Sequence, residues 1–320
     1  MNPRFARRAL DLACGTRGNR RLLIFTFHRV LATPDALLPD EPTADSFAQR
    51  LLWMRDYLQV LPLPQAAQQL CDGTLPPRAA SITFDDGYRN NAEIAQPLLE
   101  QNGLQATFFV ATGAIEQGAM WNDLVIEAVR NCGDRLDFAE FDLPSWDIPS
   151  EASRRQFVLR ILDQLKYLPL PRRAVIARAL YAKYCNGSRA EFMMTRAMVR
   201  DLALNGHDVG AHTVTHPILQ QVDDADARAE IEGSRDWVTS VTGRAPVSFA
   251  YPNGRPGVDF SSTHVRMVDE AGFKCAVSTT WGCATPRSNM LSLERFTPWE
   301  DSPSGFVRRI LKTYVRSYMS

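Results

Sequence analysis

Short apolar segments alternate with amphipathic segments along most of the chain. The short segments are bounded by turn residues, as buried strands are, and the segments between them repeat their apolar residues at helical spacing. Phe47, Leu51 and Met54, for example, follow the capping candidate Thr43 at such spacing. The predicted strands are Leu22–Phe27, Ala80–Phe84, Ala106–Val110, Asp208–Ala211, Val247–Ala250 and Lys274–Ser278. The predicted helices are Phe47–Tyr57, Ala92–Gln101, Thr195–Asn205, Ala225–Thr242 and Val265–Ala271.

This order of elements predicts an α/β fold. Strands that alternate with helices form a parallel sheet with crossover helices, and their number here suits a closed or nearly closed barrel. In such barrels the functional site lies at the carboxyl ends of the strands. The polar side chains directly beyond the predicted strands are His28, Asp85, Asp86, His212, His216, Tyr251 and Asn253.

A helical region of about residues 120–190 interrupts the pattern. Its helical stretches are Leu124–Arg130, Arg154–Leu165 and Arg173–Tyr184, and it contains no convincing strand. We interpret this region as an insertion over one face of the barrel, where it would act as a lid or a substrate wall. The simpler alternative is a spacer that only packs.

The composition fits a chain with one large core. It has 320 residues, of which 45% are hydrophobic. The 36 basic and 36 acidic residues balance, so the overall charge gives no argument for a nucleic-acid partner. No segment is apolar enough for a membrane span or, before Arg17, for a signal peptide, so we expect a cytoplasmic location. The six cysteines form no C-x-x-C pair, which argues against a disulfide framework or a zinc ribbon.

Both ends of the chain are basic. Residues 1–21 contain six arginines and one acid, and a predicted C-terminal helix at about residues 304–318 carries four basic residues and no acid (Arg308, Arg309, Lys312 and Arg316). Such patches can contact anionic lipid or polymer weakly, which would make the protein peripheral to a membrane. The alternative, which we favour from the sequence, is a solvated N-terminal arm and a terminal helix that docks by its apolar face.

The first chemical motif is a pair of carboxylates, Asp85 and Asp86, at the end of an apolar strand and before Gly87. Like charges this close repel one another unless a cation is bound or one pKa is raised. Gly87 permits the tight turn that brings both carboxylates to one side. Taken alone, the motif fits an ordinary Asp-Gly turn equally well.

The second motif is a pair of histidines, His212 and His216, after another predicted strand. A carboxylate with two histidines is a known zinc ligand set that leaves a position open for water. Thr213 stands where the metalloprotease motif H-E-x-x-H has its glutamate, so the base has to come from elsewhere, and Asp85 adjoins the proposed ligand Asp86. Capping or core hydrogen bonding is the weaker alternative, because the chain has only five histidines.

The third motif is the turn Tyr251, Pro252 and Asn253 after the strand that ends at Ala250. A stiff turn can aim a backbone N–H at a developing oxyanion. On its own, this motif would be better interpreted as an ordinary turn.

Together the three motifs resemble those of the polysaccharide deacetylase family, the NodB-homology domain, from about Leu22 to Arg295. The third motif is closest to the form found in poly-N-acetylglucosamine-type deacetylases. The resemblance implies a distorted (β/α) barrel of about seven parallel strands and a metal-dependent carbohydrate esterase. It also implies the site roles: Asp85 as catalytic base, Asp86, His212 and His216 as ligands of one divalent metal ion, with zinc expected first, the Tyr251 N–H at the oxyanion, and Pro252, Asn253 and Trp281 beside the substrate.

The sequence departs from the family pattern at three places. Ala250 stands where many members have an arginine that tunes the base through a fourth-motif aspartate, and Val277–Gly282 contains no aspartate. The fifth motif usually offers a histidine as general acid, but Leu291–Phe296 contains none. Arg295 is therefore a candidate to support the base or to bind the oxyanion. His28 is a candidate acid, with a structural hydrogen bond as the alternative.

The function expected from the resemblance is hydrolysis of N-acetyl groups on a sugar or polysaccharide, linked to a bacterial surface polysaccharide. Two alternatives stay open at this point. One is hydrolysis of another C–N bond, such as a formamide or a cyclic amide, at the same metal site. The other is a carbohydrate-binding protein with a degenerate site, because three usual residues are missing. The sequence does not indicate an oligomeric state.

Overall fold

A computed structural model describes residues 3–141, 143–148, 150–186 and 190–317. The chain forms two compact units. The barrel unit comprises Met1–Ala32, Glu41–Glu116 and Met194–Ser320, and the inserted unit comprises Thr33–Asp40 and Gln117–Met193. Residue 318 of the predicted C-terminal helix, residues 1 and 2 of the basic N-terminal segment, and residues 142, 149 and 187–189 of the predicted insertion lie outside the described residues.

The strands and helices are numbered in chain order. The strands are β1 (Leu23–Phe27), β2 (Gln59–Val60), β3 (Ala79–Phe84), β4 (Thr107–Val110), β5 (Arg135–Leu136), β6 (Trp146–Asp147), β7 (Asp208–Ala211), β8 (Ser248–Ala250), β9 (Cys275–Trp281) and β10 (Leu293–Arg295). The α-helices are α1 (Pro3–Ala13), α2 (Ala44–Tyr57), α3 (Leu63–Cys71), α4 (Gln96–Gln101), α5 (Thr112–Gln117), α6 (Trp121–Asn131), α7 (Glu151–Lys166), α8 (Leu170–Tyr184), α9 (Arg196–Leu204), α10 (Asp224–Thr242), α11 (Ser262–Glu270) and α12 (Pro303–Arg316). A π-helical turn, Asn91–Ala95, precedes α4, and 3-10 turns occur at Ala139–Phe141 and Leu219–Gln221.

Seven parallel strands form a nearly closed barrel in the order β1-β3-β4-β7-β8-β9-β10, and β2 pairs with the start of β3. The ring continues past β10, because the Phe296 N–H donates to Ile24 O at 3.0 Å and the Thr26 N–H donates to Phe296 O at 3.1 Å. Every residue of β1 and β3 is buried, as expected for strands covered on both faces. The distorted (β/α) barrel predicted from the sequence is confirmed.

The N-terminal segment differs from the solvated arm that we favoured from the sequence. Pro3–Ala13 is helix α1, which packs against α12 and buries Ala6 and Leu10 completely. These two apolar residues are four apart, so they share one helix face, although arginines surround them in the sequence. Helix α12 docks as predicted, with Phe306, Ile310 and Tyr314 buried.

The inserted unit has its own apolar core, formed by α6, α7, α8 and the segment between α6 and α7. Val129, Phe138, Ile161 and Leu180 are buried in it. The sequence suggested no strand here, but β5 and β6 form a short antiparallel pair. At two residues each, these strands are too short to show an alternating pattern. The role of the unit as a lid or substrate wall stays a prediction.

Two further expectations concern the whole chain. None of the six cysteines forms a disulfide, in line with the absence of a C-x-x-C pair. Across the described ranges, no helix is both long enough and apolar enough to cross a bilayer.

Candidate metal centre and active site

The candidate site is built on loops that continue the barrel strands. The Asp85 N–H donates to Phe27 O at 2.9 Å, which extends the pairing of β1 and β3 by one residue. The His212 N–H donates to Val110 O at 3.1 Å and so extends the pairing of β4 and β7. The strand hydrogen bonds therefore fix the backbone of both motifs just beyond the carboxyl ends of β3 and β7, where barrel sites lie.

Asp86, His212 and His216 come together, with one potential ligand atom from each lying within 4.8 Å of the others. Both histidine Nε2 atoms are 3.5 Å from Asp86 Oδ1. Asp86 and His212 are buried, whereas the His216 side chain keeps 16% of its surface exposed. The cluster is thus closed on the protein side and accessible beside His216, as a catalytic zinc site with one open position requires.

His212 is oriented for a ligand role by a hydrogen bond on its other nitrogen. Its Nδ1 lies 2.7 Å from Ala250 O, which can only accept, so Nδ1 carries the proton and Nε2 faces Asp86. A backbone carbonyl in this position fixes the tautomer and raises the basicity of the ligating nitrogen. One carboxylate oxygen and two imidazole nitrogens in this arrangement fit a divalent metal ion such as zinc.

The charges at the cluster are strongly coupled. Burial alone would raise the pKa of Asp86, but the hydrogen bond from His212 and the charge of His216 outweigh it and hold this pKa well below the usual range. Burial would lower the pKa of His212, whereas its hydrogen bond to Asp86 and the charge of Asp85 raise it. The pocket therefore favours a positive charge beside Asp86, whether from protons on the histidines or from a metal cation.

Backbone strain is concentrated in the site loops. Asp86, Thr213, His216 and Asn253 all have positive φ, between 55° and 75°, although none is glycine. For a β-branched residue such as Thr213 this conformation is rare, and each such residue costs about 1–3 kcal/mol. Gly87, with φ of 89°, follows Asp86 and completes the turn that the sequence predicted.

The loop between the two histidines is held by Glu230 of α10. Its carboxylate accepts the N–H groups of Val214 and Thr215 at 2.7 and 2.8 Å and the Thr215 hydroxyl at 2.6 Å. The Thr213 hydroxyl accepts the His216 N–H at 3.1 Å. These contacts offset the strain and fix the angle at which His216 approaches Asp86.

Arg295 pairs with the predicted base. Its Nη1 and Nη2 donate to the two oxygens of Asp85, both at 2.7 Å, and its Nε donates to Ser278 O at 2.9 Å. Both side chains are almost fully buried. Burial would raise the pKa of Asp85, but the guanidinium overcomes this and holds the pKa below the ordinary value. Of the two roles left open for Arg295, the geometry matches support of the base.

His28 directly follows β1, and it is exposed. Its charge is among the smaller influences that lower the pKa values of Asp85 and Asp86, so it lies within electrostatic range of both. Glu41, which the sequence did not single out, is close to His28 and accepts the Arg29 N–H at 3.2 Å. Burial raises the pKa of Glu41, and the charges of His28 and Arg29 oppose this rise.

The residues of the third motif are largely buried and stabilise the turn after β8. The Tyr251 ring is buried against Phe260 at 3.7 Å between centroids, and its hydroxyl donates to Leu291 O at 2.9 Å. The Tyr251 N–H, expected at an oxyanion, donates to Val277 O over a long 3.3 Å. Pro252 is buried, and the Asn253 carbonyl accepts the Thr279 hydroxyl at 2.8 Å.

Trp281 ends β9, where its backbone is in register with Arg295. Its ring stacks on Trp299 at 5.9 Å and 26°, and Trp299 keeps 52% of its surface exposed. Arg309 lies over the Trp281 ring at 5.3 Å. An aromatic surface is thus available close to the strand that carries Arg295.

Glu230 and Glu41 are the site residues that sequence reasoning missed. Glu230 lies on a long helix rich in charged residues, where a glutamate is usually solvated, and Glu41 lies in a loop without a recognisable motif. A capping interaction with the His212–His216 loop cannot be anticipated from spacing, because the two segments meet only in the fold.

Comparisons with known proteins agree with this architecture. The sequence model for polysaccharide deacetylases matches residues 72–276, and no curated protein sequence matches the chain. Similar solved structures include the deacetylase PplD from Streptococcus pyogenes in complex with acetate, with 19% identity, a TM-score of 0.63, and coverage of 91% of this chain and 99% of that chain. IcaB from Ammonifex degensii has 17% identity and a TM-score of 0.60, with 91% and 97% covered.

A third similar structure is a de-N-acetylase from Aggregatibacter actinomycetemcomitans, with 14% identity, a TM-score of 0.55, and coverage of 91% of this chain and 99% of that chain. At these identities the likeness establishes the fold. The family match spans more than half of the chain and includes the carboxylate pair and both histidines. The chain therefore belongs to the polysaccharide deacetylase family.

Proposed function

We propose that this protein removes N-acetyl groups from an N-acetylated glycan by metal-dependent hydrolysis. The observation that carries the proposal is the pairing of two carboxylates with different surroundings. Asp86 faces two histidines, whereas the neighbouring Asp85 is held by Arg295. This separation supports a cation at one carboxylate and proton transfer by the other.

Asp85 is proposed as the general base that takes a proton from the attacking water. The Arg295 fork keeps its carboxylate ionised and fixes its orientation. Asp86, His212 and His216 would hold the metal ion, which supplies Lewis-acid polarisation of the amide carbonyl and a more acidic water when bound. Arg295 is proposed as a positioning residue, because its Nε, Nη1 and Nη2 groups already donate to Ser278, Thr83 and Asp85.

The leaving amine needs a proton, and His28 is proposed to donate it. The imidazole is exposed, and it lies within electrostatic range of Asp85 and Asp86. For the oxyanion, we propose the Tyr251 N–H, because its 3.3 Å bond to Val277 O is weak enough to be exchanged for a bond to a developing negative charge.

The choice of an N-acetylated glycan rests on family membership and on relatives described as deacetylases. The name de-N-acetylase favours the C–N bond over an ester. A role in modifying a bacterial surface polysaccharide is part of this proposal, and zinc is the proposed metal.

The proposal is tested by measuring acetate release from N-acetylglucosamine oligomers. We expect activity to disappear after chelation, to return with zinc, and to fall by about 10²–10⁴-fold in Asp85→Asn. Asp269→Asn is the matched control, because this aspartate lies on the exposed side of α11 away from the cluster.

The outcomes separate the alternatives. Activity that survives complete metal removal would contradict the metal role. Hydrolysis of a formamide or a cyclic amide, without acetate release from the oligomers, would indicate another C–N substrate at the same site. Tight glycan binding without any hydrolysis would indicate a binding protein.

A further inference from the structure

We propose that the outer faces of α1 and α12 form a docking surface for an anionic lipid bilayer. We call this surface the basic face and define it by Phe5, Arg8, Leu12, Arg308, Lys312, Val315 and Arg316, all of which are exposed. The inference is independent of the proposed deacetylation, because none of these residues belongs to the candidate site.

Helix α12 supplies most of the positive charge. Arg308, Lys312 and Arg316 follow one another at intervals of four residues, so they line one side of the helix, and the helix contains no acidic residue. The opposite side is buried through Phe306 and Ile310. The helix is therefore fixed by its apolar side and presents an unbroken cationic row outwards.

Helix α1 adds exposed apolar side chains to this charge. Phe5 and Leu12 are seven residues apart and thus lie on the same side of the helix, with 68% and 84% of their surfaces exposed. Leu12 is the most exposed large hydrophobic residue among those that the structure describes. Arg8 lies between them in the sequence and on the same side. Large apolar side chains held in water beside arginines are typical of a surface that is covered in its working state.

The two helices that carry these residues are neighbours in the fold. They pack directly against each other, and Arg21, which follows α1, donates from Nε to the Ser317 hydroxyl at the end of α12 at 2.7 Å. The one acid of α1, Asp11, is paired with Arg78 at 2.6 Å. The positive charge of the basic face is therefore not cancelled from within the face.

A bilayer matches this chemistry better than a soluble polyanion does. Basic residues attract anionic headgroups, while phenylalanine and leucine enter the boundary between headgroups and acyl chains. A soluble polyanion offers nothing for the two apolar side chains. Because the charges of the basic face are exposed to solvent, binding is expected to weaken as salt increases.

The test is sedimentation of the full chain with vesicles of phosphatidylcholine alone or mixed with phosphatidylglycerol. We expect binding only to the anionic vesicles. Replacing Arg308, Lys312 and Arg316 by glutamine should weaken it by about fivefold for each charge removed. Phe5→Ser combined with Leu12→Ser should also weaken it at constant charge. Leu204→Ser, which removes a similarly exposed leucine from α9, is the matched control and should bind as the parent chain does.

Three results would overturn the proposal. Equal binding to neutral and anionic vesicles would show that attraction to anionic headgroups does not contribute to binding. Binding to dextran sulfate as tight as binding to vesicles, unchanged by the Phe5 and Leu12 substitutions, would assign the face to a soluble polyanion. Concentration-dependent dimerisation that these substitutions abolish, without vesicle binding, would assign it to a second copy of the chain. Circular dichroism checks that each variant is folded.

Discussion

Asp85 and Arg295 form the most informative pair of residues in the site. They are 210 residues apart in the sequence, yet their side chains make two 2.7 Å hydrogen bonds inside the barrel. Many members of the family have an arginine at the position of Ala250, whereas here a guanidinium comes from β10. This guanidinium holds the pKa of Asp85, the proposed base, below its ordinary value.

Replacing Arg295 by glutamine is expected to change the pH dependence as well as the rate. Without the guanidinium, burial dominates and raises the pKa of Asp85. Because the base works only when ionised, the acid limb of kcat/KM should then move to higher pH. A positioning role also predicts that kcat/KM on the plateau of the pH profile falls by about 10- to 100-fold.

The measurement is the pH profile of acetate release, with Arg295→Lys as the control that keeps the charge and loses the fork. The lysine variant should shift the acid limb less than the glutamine variant. Identical acid limbs in the parent and the glutamine variant would contradict the assignment.

Individual residues also show what the sequence can and cannot predict. Asp86, His212 and His216 were predicted as a cluster because barrel strands bring their carboxyl ends together, whatever the length of chain between them. The partner of Asp85 was left open, because the side chain that reaches a buried charge depends on packing. Glu230 was not predicted, since it accepts hydrogen bonds from backbone N–H groups, and every residue except proline has such a group.

At the scale of elements, α10 acts as the support for the loop between the two histidines. Glu230→Ala removes all three hydrogen bonds to this loop, so the strained residues Thr213 and His216 lose their restraint. We expect zinc affinity to fall by about 10- to 100-fold, as for other losses of support behind a ligand.

Zinc affinity is measured by competition with a chromogenic chelator, which does not depend on turnover. Glu232→Ala is the matched control, because Glu232 lies on the same helix and pairs with Arg228 at the surface. Equal losses in both variants would point to a general effect on α10 instead of the loop.

The aromatic side chains near the ends of β9 and β10 lead to a prediction about the length of the glycan substrate. Trp299 exposes half of its surface while stacked on Trp281, and Trp281 is in register with Arg295. The C–H faces of pyranose rings pack well on such aromatic surfaces. Trp299→Ala should therefore raise KM for N-acetylglucosamine oligomers and leave kcat/KM for a short substrate nearly unchanged.

Oligomers of increasing length, compared in the parent and the variant, provide the measurement. Equal effects on short and long substrates would show that Trp299 does not contact a distant sugar unit. Trp299→Phe keeps an aromatic face and should restore most of the length dependence.

Elements were predicted unevenly. The six strands expected from the apolar segments are all present, because buried parallel strands are continuously apolar. Five agree with the prediction to within one residue, whereas β9 continues three residues further, to Trp281. The two-residue β2 and the three-residue β10 were not predicted from the pattern, which such short segments cannot display. Helix α1 was missed because its buried face is narrow and the six arginines of residues 1–21 favoured a solvated arm.

For the whole molecule, metal binding is expected to raise thermal stability. A ligand that binds only the folded state stabilises it by about 2.7 kcal/mol at a hundredfold excess over Kd. The site residues come from β3 and β7 of the barrel unit, so zinc should raise the Tm of that unit by a few degrees.

Differential scanning calorimetry with zinc and with chelator gives the comparison. His216→Ala should abolish the rise, whereas substitution of His264, which accepts the Ser261 N–H at the start of α11, should leave it intact. A rise that persists without His216 would place the stabilising metal elsewhere. The family match and the barrel lead us to expect a metal site, and this measurement tests whether zinc binds there.

The closure of the barrel through Phe296 has a consequence for the timing of protein synthesis. The ribosome makes Asp85 and Asp86 some 210 residues before the strand that completes the ring and delivers Arg295. Until then the base lacks its guanidinium partner, and β1 has an unpaired edge. A chain terminated before β10 therefore lacks the closing strand and the Arg295 partner of Asp85 together. We expect translation errors that shorten the protein in this way to yield an open product without the proposed activity.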